Sequence, residues 1–171
     1  MKPGLLKFNR KLSKAESGGF GIIEIIVASA IVGIIVFSMN QVNVFSLKAS
    51  ENASNRIEAV FLLNEGVEAI RFIRDKGWNA NISPLLLGTD YFLSFTGTDY
   101  QLTTTAQPLI SGKFGRTIRV FETKRNIHDD IDPAGTVDPL TKKFVITISW
   151  PNRTTAATES IEFYLTDLFD N

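Results

Sequence analysis

Residues 18–39 read GGFGIIEIIVASAIVGIIVFSM, and from Phe20 to Met39 the run holds twenty residues with a single charge, Glu24. An α-helix rises about 1.5 Å per residue, so this run extends roughly 30 Å, the thickness of the hydrocarbon core of a bilayer. The stretch predicts a membrane-crossing helix over residues 20–40. Glu24 sets the problem. Insertion scales charge about 2.5–3.5 kcal/mol for a carboxylate near the centre of a spanning helix and less towards its end, so such a residue marks a function or a partner.

Two ordinary readings leave something unexplained. A cleaved secretory signal needs an apolar core of about 7–15 residues followed by a small-residue cleavage site. Ala28-Ser29-Ala30 imitates that site, but only eight residues of the apolar run precede it, Glu24 among them, and nine more follow. A plain signal anchor accounts for length and orientation and gives Glu24 no role.

Gly18-Gly19 followed by Phe20, with Glu24 four residues on inside an uninterrupted apolar helix and a short basic leader in front, resembles the N-terminus of type IV prepilins and of the pseudopilins of type II secretion. Gly21 stands where that family usually has threonine or serine, Ile22 replaces a usual leucine, and no proline interrupts the first half of the helix. The resemblance implies cleavage after Gly19 by a membrane prepilin peptidase, N-methylation of the new N-terminal Phe20, and subunit assembly through Glu24, whose carboxylate meets the N-terminal amine of a neighbouring subunit. A buried acid compensated by an ammonium is tolerated, whereas one left unpaired penalises misregistered docking. The implied partners are the prepilin peptidase, other pilin subunits, the inner-membrane assembly platform and, before assembly, membrane lipid. No cofactor is implied.

Charge sets the orientation. Residues 1–19 carry Lys2, Lys7, Arg10, Lys11 and Lys14 against Glu16, a net of +4, which leaves −4 on the remainder of a chain whose formal net charge is zero. By the positive-inside rule the leader stays in the cytoplasm and everything beyond about residue 40 lies outside. The expected localisation is the bacterial cytoplasmic membrane, single-pass, and then an extracellular pilus or a periplasmic pseudopilus. The 171 residues have room for one membrane helix and one modest domain. With no cysteine, neither a disulfide framework nor a cysteine-based zinc site is possible. A mildly acidic exported part without a basic stripe gives no electrostatic case for nucleic acid.

Beyond Met39, Val42, Phe45, Ala49, Ala53, Ile57, Val60, Leu63, Val67, Ile70 and Ile73 follow at spacings of three and four, one apolar helix face. Residues 41–76 are therefore expected to continue the same helix amphipathically, with Lys76-Gly77 ending it and Gly77 as a left-handed cap. The stretch EGVEAIRFIRDKGW, Glu65 to Trp78, is loosely similar to a segment recurrent in pilin-like proteins. Glu68 with Arg71, and Arg71 with Asp75, fall at helical neighbour distances.

Residues 77–171 read as short strands and turns. Tyr91 to Phe95 and Tyr100 to Thr104 flank Gly97 as a hairpin, and Ser111-Gly112-Lys113 forms another turn. Phe144, Ile146, Ile148 and Trp150, then Ile161, Phe163 and Leu165, alternate with more polar neighbours. With Thr117 to Lys124 they predict an antiparallel meander whose apolar side packs on the second half of the helix. The fold class is α+β: a long N-terminal helix, membrane-spanning in its first half, against a C-terminal antiparallel sheet.

Catalytic and metal sites are not expected. Asp129, Asp130, Asp132 and Asp138 cluster around His128, but their order lacks the glycine turn and terminal glutamate of a calcium loop, and residues 125–142 read as a solvated variable loop. No strained glycine-x-serine-x-glycine elbow supports a serine nucleophile, and no phosphate loop is present. Trp78 and Trp150 read as core anchors. The functional expectation is a structural subunit of a type IV pilus or related pseudopilus. Its alternatives are a signal-anchored exported binding domain that never polymerises, and an exported enzyme, for which the residues offer no coherent constellation.

Overall fold

The computed structural model describes residues 21–152 and 155–168. Seven elements follow in order: α1 (Ile22–Asp75), α2 (Trp78–Asn81), β1 (Asp90–Phe95), β2 (Tyr100–Thr103), β3 (Gly115–Arg125), β4 (Thr136–Asn152) and β5 (Thr155–Thr166). The layout is α+β, a long N-terminal helix on a five-stranded antiparallel sheet. The chain divides into two compact units, one ending at Lys48 and one starting at Ala49. The described part of the first is helical from Ile22 onward.

In the second unit, α1 lays Ala59, Leu63, Val67, Ala69, Ile70 and Ile73 into the core. Each large apolar side chain buried this way contributes about 1.5–3 kcal/mol. Polar ties hold the helix on the sheet: Lys113 Nζ donates to Asn55 Oδ1 at 2.7 Å, and Arg116 Nη1 donates to the Leu62 carbonyl at 3.1 Å. The helix ends at Asp75, one residue before the expected Lys76. Gly77 is not the left-handed cap that the sequence predicts. Its φ of +144° and ψ of 114° lie in a region open only to glycine, which turns the chain directly into the single turn of α2 and drives Trp78 into the core.

The sheet order is β2-β1-β3-β4-β5, with every neighbouring pair antiparallel. β3, β4 and β5 form the expected meander. The β1–β2 hairpin turns at Gly97, with Phe95 opposite Tyr100, but it docks through β1, so β2 lies on the outer edge and the meander does not run through the whole sheet. The reason is apolar content: Tyr91 and Leu93 of β1 are buried, while no residue of β2 is. Phe144, Ile146, Ile148 and Trp150 of β4 are all buried, as their alternation predicts.

The loop expected over residues 125–142 is shorter than that, because strands take both of its ends. β3 runs on to Arg125 and β4 begins at Thr136, leaving Asn126 to Gly135 as the connection. The register shifts between Glu122 and Thr123, whose partners are Lys142 and Asp138. Pro139 therefore falls in a bulge, where no ladder N–H is required of it. Gly135 is obligatory at the end of this connection, because a Cβ there would collide with the Arg125 carbonyl.

The bulge is pinned by Arg125, which donates to Asp138 Oδ2 at 2.8 Å and to the Asp129 carbonyl at 2.7 Å. Partial burial pushes the Asp138 carboxyl up, but hydrogen bonds from Thr141, Arg125 and the Leu140 amide outweigh it and hold the carboxyl below its ordinary value. A depressed folded value means stability that is present above the unfolded carboxyl pKa of about 3.9 and lost as pH falls through the folded one. Asp138→Asn is expected to lower the melting temperature at neutral pH and to leave a smaller loss on acidification below about pH 4 than the native chain shows. Parallel acid limbs in thermal melts of the two proteins would contradict this role.

Candidate assembly interface

Among the described residues, the first unit is the stretch of α1 from Ile22 to Lys48, whose large apolar side chains are uncovered. From Ile22 to Leu47 its large apolar residues are exposed, Ile22 at 80% and Phe37 at 65%. An 18-residue window of α1 reaches a mean hydropathy of 2.6 with none of it buried. One helix among the described residues is thus long and apolar enough to cross a bilayer. Three of its polar side chains bond back to the helix backbone. Ser29 donates to the Ile26 carbonyl at 2.8 Å, Ser38 to Ile34 at 2.8 Å, and Asn40 Nδ2 to Val36 at 3.0 Å. Each of these bonds lowers the cost of carrying a polar group into an apolar environment.

Glu24 stands apart by its charge. It is the only ionisable residue from Gly21 to Leu47, it is exposed, and its side chain makes no hydrogen bond or ion pair among the described residues. It stands in the first turn of α1, where the Glu24 amide donates to the Gly21 carbonyl at 2.9 Å. A carboxylate there is favoured by the helix dipole by about 0.3–1 kcal/mol, a contribution that the apolar pattern alone does not disclose. Gly19 and Phe20, the expected cleavage and methylation residues, lie outside the described residues.

In the second unit the expected apolar face splits. Leu63, Val67, Ile70 and Ile73 turn to the sheet, together with Asn55, Ala59 and Gly66. Ile57 and Val60, placed on the same face by spacing, are instead 59% and 48% exposed and stand beside Phe61 at 69%. Residue spacing does not separate the two sets, because both are apolar and only the position of the sheet decides which is covered. Further along, Arg71 pairs with Glu68 at 2.7 Å as expected, whereas Asp75 pairs with Arg74 at 2.8 Å rather than with Arg71.

The acidic residues around His128 do not converge. Asp138 is held by Arg125 and Asp132 accepts from the Ala134 amide at 2.8 Å, while Asn126 Oδ1 organises the turn through the His128 and Asp130 amides. No group of three or more potential metal ligands occurs among the described residues. Ile127, at the tip, is 94% exposed, a feature that the acidic run masks in sequence. Comparisons of the chain with models of protein families, with curated proteins and with solved structures return no match.

Proposed function

We propose that this chain is a structural subunit, a minor pilin or pilin-like protein, of a type IV pilus or related pseudopilus. In this reading it is made as a membrane precursor, cut after Gly19 by a prepilin peptidase, methylated at Phe20, and passed by an inner-membrane assembly platform from lipid into a polymer with other pilin subunits. Its work is assembly, not catalysis. The observation that carries the reading is the uncovered apolar stretch of α1 from Ile22 to Leu47, whose one ionisable side chain, Glu24, lies in the first turn without a partner among the described residues. An apolar surface of that size is stable only against lipid or against other apolar helices, and the exchange of one for the other is what extraction into a filament accomplishes. The freed N-terminal amine of a neighbour supplies the charge that Glu24 needs.

Exposed Ile57, Val60 and Phe61 extend the apolar contact beyond the membrane segment, and the rigid turn that presents Ile127 offers a contact for a surface partner. The experiment is fractionation of the native host. The chain is expected both in the cytoplasmic membrane and in the fraction released by mechanical shearing, or in a periplasmic pseudopilus preparation. Confinement to the membrane under conditions where filaments form would contradict assembly and favour an anchored binding domain.

A further inference from the structure

The face of the sheet turned away from α1 carries a concavity of about 380 Å³, in the size range of small-molecule sites. Register explains its shape. Arg119 of β3, Val145 of β4 and Glu162 of β5 stand in one cross-strand row, with Asp90 of β1 beyond Arg119. The neighbouring rows on the same face place Phe121 opposite Lys143 and Thr117 opposite Thr147. Short side chains, Val145 and the two threonines, thus form a floor, and long ones form a wall.

The wall is charged but balanced. Arg119 makes two hydrogen bonds to the two carboxylate oxygens of Asp90, the Nη2 to Oδ2 distance being 3.2 Å. Lys143 Nζ lies 3.5 Å from Glu162 and 5.3 Å from the centre of the Phe121 ring. Two carboxylates and two cations, joined in two ion pairs, stand around a floor of one valine and two threonines at zero net charge. An anionic ligand would meet Asp90 and Glu162, and a cationic one Arg119 and Lys143. A neutral polyol meets neither penalty, since each hydroxyl donates to a carboxylate or accepts from a cation, while the C–H face of a sugar ring rests on Val145.

The geometry points to a binding site for one residue of a neutral saccharide on this outer sheet face. The inference does not rest on the assembly reading. It is tested on the full-length chain in a detergent without a sugar headgroup, titrated with lactose, maltose and diacetylchitobiose, and with sialyllactose as the anionic probe. Thr147→Arg and Val145→Trp fill the concavity from outward-facing, half-buried positions, and an unchanged melting temperature verifies that each folds. Saturable binding of at least one neutral disaccharide is expected, with no dependence on salt and at least a tenfold loss in both variants. Binding by none of the three, a preference for sialyllactose, or binding that survives both substitutions would overturn the site.

Discussion

Glu24→Ala is expected to leave the chain inserted in the membrane, with its leader removed, and to lower its recovery in the sheared fraction by about a hundredfold or more. The magnitude follows from the pair it would form. Removing one partner of a buried ion pair costs about 3–5 kcal/mol because the other charge is left uncompensated, and about 1.4 kcal/mol already corresponds to a factor of ten. Insertion is not impaired, since alanine replaces the one charge in an apolar helix. Glu24→Gln separates charge from shape: it keeps the side-chain length and removes the ammonium's partner, and should fail nearly as completely. Immunoblots of the membrane and sheared fractions read both effects. Wild-type recovery of Glu24→Ala in the sheared fraction would remove Glu24 from assembly.

The largest effect on folding is expected at Phe144. It is fully buried in the middle of β4, opposite Val120 of β3 and Phe163 of β5, with its ring stacked on Phe163 at 5.6 Å between centroids and 18° between planes. Phe144→Ala is expected to cost about 3–5 kcal/mol and to lower the melting temperature by roughly 10 °C or more. Phe163→Ala, only half-buried on the edge strand, should cost less. Tryptophan fluorescence reads this transition cleanly, because both tryptophans of the chain, Trp78 and Trp150, are buried in the second unit. A Phe144→Ala melt within a few degrees of wild type would mean that the β4 core does not hold the sheet on the helix.

Much of this architecture is legible in the chain itself. The membrane-length run, the hairpin at Gly97 and the alternating strands of β4 and β5 are local patterns, set by side chains a few residues apart. What escapes a sequence reading is non-local. Asp138 and Pro139 look like part of the loop that holds Asp129, Asp130 and Asp132, because the bulge that accommodates the proline exists only once β3 and β4 are paired. The edge position of β2 depends on which strand of a hairpin is more apolar, and not on order along the chain. Ile57 and Val60 share a spacing pattern with Leu63 and Val67, yet they are exposed, since a helix carries more apolar surface than one sheet can cover. Glu24 stands out in sequence because it is alone. The concavity around Val145 does not, because its wall comes from four strands.

The central claim is that this helix is a processed assembly element and not a permanent anchor. Intact-mass spectrometry of the chain recovered from the native membrane and from the sheared fraction tests it directly. The account predicts a mass that lacks residues 1–19 and carries one additional methyl group, in both fractions. An uncut chain that begins at the leader and is confined to the membrane would contradict it.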